Sequence, residues 1–161
     1  MTELQVRRDA LSTTRLVVDE TVDKDAALAD GEVLAKIDRF AFTSNNVTYG
    51  IVGEQLGYWQ FFPPSGSDTD GWGLIPVWGF ADVVASKLDE IPEGDRLFGY
   101  FPPASYLRLQ PHRVRAANFF DAAPHRAKLP AGYNNYRRVL AEPGYDRAHD
   151  DLRMLFFPLH V

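Results

Sequence analysis

The stretch from Val77 to Val114 constrains the fold more than any other part of the chain. It reads VWGFADVVAS, the turn Pro92-Glu93-Gly94-Asp95, RLFGYF, Pro102-Pro103, ASYLRLQ and a last short strand near Val114. Strands follow one another there at a spacing of about ten residues, separated by tight turns, which is the signature of a small antiparallel barrel or sandwich. The first third of the chain agrees. Leu4, Val6 and Arg8, then Thr14, Leu16 and Val18, alternate with period two and predict an N-terminal hairpin or meander. Asp30-Gly31 marks a turn, and Glu32 to Phe42 follows as the clearest strand. It carries Val33, Ala35, Ile37, Arg39 and Ala41 on one face and Leu34, Lys36, Asp38, Phe40 and Phe42 on the other. Charged residues near its middle require a partner or a cleft that keeps them wet.

Residues 43 to 76 are dense in Gly, Asn, Ser, Pro and aromatics, and read as loop with one helical turn around Asn45 to Gly50. Pro63 to Gly73 is the expected flexible tip. Past Asn118 the pattern turns helical. Ala131 to Ala141 ends at Pro143-Gly144, and Asp146 to Phe157 ends at Pro158, with Leu152, Leu155 and Phe156 forming an apolar stripe that needs something to pack on.

Composition removes whole classes of function. The chain has no cysteine, so disulfide scaffolds, thiol catalysis and Cys-ligated zinc are excluded. Seventeen Lys and Arg against 22 Asp and Glu give a net charge of −5, which argues against nucleic-acid binding. The N-terminal MTELQVRRDALSTTR is charged, and no apolar run of about 18 residues occurs, so a soluble cytoplasmic protein without membrane contact is expected. One domain's worth of residues is present, and 11 Phe, 7 Tyr and 3 Trp are its excess. His112, His125, His149 and His160 have no metal-ligand spacing. His125, Arg126 and Lys128 read as a solvated face or a phosphate contact, and Arg137-Arg138 as a solvated helix face or a contact to a cofactor domain. No strand leads into a G-x-G-x-x-G turn and helix, so a dinucleotide site of that type is missing from these residues.

The order of motifs, GEVLAKID, an Asn-containing loop, then VWGFADVVASKLDEIPEGDRLFGYFPPASYLRL, resembles the GroES-like N-terminal domain of the medium-chain dehydrogenase/reductase superfamily. Phe80-Ala81-Asp82-Val83-Val84 and Glu93-Gly94-Asp95-Arg96-Leu97-Phe98 stand where that family has its FAGVV-type strand and GDRV-type turn. Within it the chain is most similar to a bacterial branch of unknown function that looks like zinc-free quinone oxidoreductases. The resemblance covers residues 1 to 118. It implies a mainly β, GroES-like barrel acting as substrate domain, with residues 119 to 161 as a helical extension leading into a nucleotide-binding domain.

Zinc-dependent relatives bind the metal through a Cys and a His, and here Thr43 and Trp78 hold those places, so no zinc is expected. The resemblance implies a zinc-independent, NADPH-dependent reductase of an activated alkene, quinone or carbonyl. Its nucleotide-binding domain would come in cis or in trans, and this chain alone would bind no NADPH and turn nothing over. Thr43, Asn45 and Asn46 would face substrate and nicotinamide, although Ser-Asn-Asn also suits a helix cap. Tyr49 and Tyr58 would donate a hydrogen bond or proton to the substrate oxygen, or merely pack, and Trp78 would wall the pocket. The alternative is a non-catalytic small-molecule-binding module or an assembly module that forms a homo-oligomer.

Overall fold

The computed structural model describes residues 1–22 and 27–156. The protein is mainly β. Strands β1 (Thr2–Arg7) and β2 (Ala10–Val18) form the expected hairpin, and β4 (Trp72–Gly73) adds to the other side of β1. The remaining strands are β3 (Val33–Ala41), β5 (Val77–Ser86), β6 (Arg96–Phe101), β7 (Tyr106–Leu109), β8 (Pro111–His112), β9 (Asn118–Asp121) and β10 (Asn135–Arg138). They make one sheet in the order β7-β3-β5-β6-β10-β9-β8. Its two ends, β7 and β8, are consecutive pieces of one strand bent at Gln110, so the sheet curls into a nearly closed barrel. Side chains and backbone fasten that bend. The Gln110 N–H donates to Asp121 Oδ1 at 2.6 Å, and its carbonyl accepts from the Ala122 N–H at 2.8 Å.

Period two decides which residues fill the barrel. Val33, Ala35 and Ile37 of β3, Val77, Ala81 and Val83 of β5, and Leu97 and Phe101 of β6 join Leu109, Phe119 and Tyr136 in one interior cluster. The residues between them, Trp78, Phe80, Phe98 and Tyr100, face outward into a second cluster with Tyr49, Trp59, Phe61 and Phe62. β5 and β6 are therefore buried on both faces, which explains why all six residues of β6 are inaccessible. Tyr136 reaches the interior because Gly99 has no side chain. A Cβ there would sit 2.6 Å from Tyr136 Cδ1.

Three expectations change. Ala131 to Ala141 is not a helix; a 3-10 turn (Ala131–Asn134) leads into β10, and a second turn (Val139–Ala141) leaves it. The alternation of buried Asn134, Tyr136 and Val139 with exposed Arg137 matches a strand, and Gly132 and two Asn favour no helix. The barrel consequently continues past residue 118 and takes in β9 and β10, so the helical extension is confined to the residues after Arg138. There a turn (Arg147–His149), with Asp146 accepting from the Ala148 N–H, leads into a helix over Asp150–Phe156. Phe157, the Pro158 stop and His160 lie outside the described residues.

The third change concerns Pro63 to Gly73. Ser65 N–H donates to buried Glu3 at 2.7 Å, Gln5 Nε2 donates to the Ser65 carbonyl at 2.8 Å, and the Arg15 guanidinium lies 4.0 Å over the Trp72 ring. The segment is tied to the hairpin. Period two mispredicts β1 for the same reason: Glu3 and Gln5 turn inward to hold this loop, leaving Leu4 half-buried. No helix among the described residues is long and apolar enough to cross a membrane.

Candidate functional site

The segment between β3 and β5 folds over the outward face of β5 and β6. Helix α1 (Ser44–Ile51) begins where Thr43 stays extended and Asn46 Oδ1 accepts the Thr43 N–H at 2.7 Å. Asn46 Nδ2 donates to the Pro76 carbonyl at 2.8 Å, so this buried amide joins the helix start to the approach of β5. A short helix α2 (Gly53–Leu56) and a 3-10 turn (Tyr58–Gln60) follow, the chain reversing at Gly57 with φ 75°. We label the terminal helix Asp150–Phe156 α3.

This arrangement collects four tyrosines. The Tyr49 and Tyr58 rings lie 4.6 Å apart, Tyr49 and Tyr100 5.8 Å, and Tyr100 and Tyr133 4.7 Å. Trp78 lies 5.0 Å from Tyr100 and 5.9 Å from Tyr133. Polar atoms are arranged within the rings. Tyr58 Oη and Tyr133 Oη share a hydrogen bond of 3.1 Å. Tyr49 Oη accepts from Asn45 Nδ2 at 3.1 Å. A phenol oxygen that accepts still has its proton to give.

Burial raises the Tyr49, Tyr100 and Tyr133 phenols above their ordinary value, and the neighbouring phenols add to the shift of Tyr100 and Tyr133. These groups stay protonated at neutral pH and act as donors, not bases. The Tyr100 hydroxyl is buried with no hydrogen-bond partner among the described residues. Tyr49 and Trp78 are buried, while Asn45, Tyr58 and Tyr133 are half-exposed and open the cluster to solvent.

Of the predicted site residues, Asn45, Tyr49, Tyr58 and Trp78 meet here. Thr43 and Asn46 serve the helix cap, one turn away. Tyr100 and Tyr133 complete the cluster without having been singled out. The register of the β5–β6 hairpin was the available signal for Tyr100, because it sets Trp78 opposite Tyr100. Tyr133 arrives through the 3-10 turn that sequence patterning reads as helix.

Two arginine sites brace the barrel. Arg126, expected at the surface with His125 and Lys128, is fully buried; its Nε donates to Asp121 Oδ2 at 2.7 Å and its Nη1 to Tyr136 Oη at 3.1 Å. Tyr136 Oη passes its own proton to the Tyr100 carbonyl at 2.7 Å. Arg96, also buried, holds three carboxylates: Asp82 at 2.6 Å, Asp38 at 2.7 Å and Asp150 at 2.6 Å. Tyr145 Oη bonds both Arg96 Nε, at 2.9 Å, and Asp150, at 2.9 Å. Asp38 sits where the β3–β5 register shifts, a bulge that turns it toward Arg96. The charges in the middle of β3 thus have their cleft, and α3 is anchored over it. Arg137 stays exposed beside Glu142, whereas Arg138 pairs with Asp95 at 2.6 Å. The described residues contain no group of three or more His, Asp or Glu placed to hold a metal ion.

Fold and site together define a mainly β, barrel-like protein with a donor-rich aromatic cluster on its outer face. Residues 40–161, most of the chain, match the family described as protein of unknown function (DUF2855), and the chain belongs to that family. Comparison with curated proteins gives no match.

Proposed function

We propose that the chain is the substrate-side part of a zinc-independent, NADPH-dependent reductase acting on an activated alkene, quinone or carbonyl. The observation that carries this reading is Tyr49, whose oxygen accepts from Asn45 and which burial keeps protonated, so that its own proton remains to be given. Reduction by hydride leaves negative charge on the substrate oxygen, and a neutral phenol with a raised pKa stabilises that charge by donating to it. Tyr58, paired with Tyr133, is the half-exposed donor through which the cluster meets solvent.

NADPH, supplied with a second domain in cis or in trans, would contribute the hydride. The donor set here, a half-exposed amide and neutral phenols, suits a nicotinamide carboxamide and a carbonyl oxygen. The cluster contains no cation for phosphates. Medium-chain reductase kinship, with its GroES-like barrel, is supported by the motif order and by the antiparallel β3–β5–β6 core that those motifs form.

The test is NADPH oxidation by the complete gene product with a panel of enones, quinones and aldehydes. Tyr49→Phe and Tyr58→Phe are expected to lower turnover by about 10² to 10⁴-fold between them. No turnover with any acceptor, or unchanged rates in both variants, would overturn the reading. A second reading, a non-catalytic binding or assembly module, is favoured by the exposed Leu152, Leu155 and Phe156 on α3. Concentration-dependent self-association without turnover would support it.

A further inference from the structure

Tyr58 and Tyr133 come from segments 75 positions apart, yet their hydroxyl oxygens share a hydrogen bond of 3.1 Å. Tyr58 opens a 3-10 turn (Tyr58–Gln60) in the segment folded over β5 and β6, and Tyr133 lies in the 3-10 turn (Ala131–Asn134) that leads into β10. Neither is in a strand, both are half-exposed, and their rings stand 5.9 Å apart at 87°. The chain has no cysteine, so no disulfide can tie these two segments together.

Two phenols so placed have a covalent chemistry of their own. When a one-electron oxidant takes an electron from a phenol, the proton leaves with it, and the unpaired electron spreads to the ring carbons ortho to oxygen. Two such rings couple through those carbons, and in the product the two hydroxyls flank the new bond and hydrogen-bond to each other. Tyr58 and Tyr133 already hold their hydroxyls in that relation, and a joined pair need not be coplanar. The other tyrosines are less suited. The Tyr49 ring is 4.6 Å from Tyr58 and the Tyr100 ring 4.7 Å from Tyr133, but these residues are 7% and 0% exposed, away from the water that must take the proton. The Tyr136 hydroxyl is engaged by Arg126, and that of Tyr145 by Arg96 and Asp150.

We infer that Tyr58 and Tyr133 form an oxidative cross-linking site, joined by a Cε–Cε bond when the protein meets a one-electron oxidant of the peroxidase-intermediate class. Each ring gives one electron to the oxidant and one proton to water. The two unpaired electrons make the new carbon–carbon bond, and each joined carbon then loses its hydrogen as a proton while each oxygen regains one. The product is two hydrogens lighter and carries a closure across 75 positions, the constraint a disulfide would impose. The inference stands whether or not the tyrosine cluster is catalytic.

The full chain, kept dilute and oxidised by ruthenium tris-bipyridyl and persulfate under a brief flash of light, tests it. Expected are dityrosine fluorescence in the monomer, an intact mass lower by two hydrogens, and a link between the tryptic peptides that carry Tyr58 and Tyr133. Tyr58→Phe and Tyr133→Phe should each abolish the link, whereas Tyr49→Phe and Tyr106→Phe should leave it, and unfolding in urea before the flash should remove it. The linked monomer should melt roughly 10 °C above the unlinked one. No dityrosine, dityrosine only between molecules, a link that survives in Tyr58→Phe or forms equally in the unfolded chain, or a linked monomer that melts no higher would each overturn the assignment.

Discussion

The two buried arginines solve one problem in opposite ways. Arg126 is neutralised by a single carboxylate, Asp121, five residues away, with Tyr136 completing its hydrogen bonds. Arg96 is surrounded by three carboxylates from β3, β5 and α3, with Tyr145 as a fourth partner. The first arrangement is local and has no substitute. It fastens β9 to the Gln110 bend where the barrel closes. The second is long-range and redundant, and it attaches the C-terminal segment to a barrel already complete. A buried charge is stabilised only while its partner remains.

The largest expected effect follows from that asymmetry. Asp121→Ala leaves Arg126 buried without a counter-ion and should destabilise the protein by about 3–5 kcal/mol in urea unfolding. Asp150→Ala leaves Arg96 with Asp38 and Asp82, and should cost about 1–3 kcal/mol. Equal losses in the two variants would break the contrast. Tyrosines sharpen it at a smaller scale. Tyr136→Phe strands Arg126 Nη1 and the Tyr100 carbonyl and is expected to cost about 1–3 kcal/mol, against about 0.5–1.5 kcal/mol for Tyr145→Phe, measured by thermal melts.

Acid separates the regions without mutation. Burial works to raise Asp38 and Glu142, but hydrogen bonds and charge from Arg96 and Arg39, and from Arg153 and Arg137, outweigh it and hold both below their ordinary 3.8 and 4.5. Folded-state values below the unfolded ones mean that this stabilisation is full above those figures and is lost as pH falls through the depressed values. Arg147 and Arg153, which these two acids hold at 3.1 Å and 2.6 Å, belong to the C-terminal segment. Amide exchange should therefore show α3 loosening first when the protein is acidified below about pH 4. Exchange of β9 and α3 rising together would count against the division.

The parts of this molecule legible in its sequence are those governed by near neighbours. Period two finds β2, β3, β5 and β6, and Thr43-Ser-Asn-Asn marks the start of α1. Tyr49 and Tyr58 were accessible because both lie in one unusual loop. Partners brought from a distance were not accessible. Asp38 and Asp150 reach Arg96 across 58 and 54 positions, and Tyr133 reaches Tyr58 across 75. β10 misleads because its strand is four residues long, between two turns of 3-10 helix, and a helical window averages over all three. Arg126 misleads because a basic residue beside His125 and Lys128 signals solvent until Asp121 is seen beneath it.

The bend at Gln110 has one more consequence. By using consecutive pieces of a single strand as both margins of the large sheet, the chain leaves that sheet with little open backbone on which another molecule could template. The small sheet has no such protection. β2 is its margin, nine residues long, with Leu16 and Val18 largely exposed. Fibril growth by this protein, if it is driven, should begin at β2, and a charged residue in place of Leu16 should delay it.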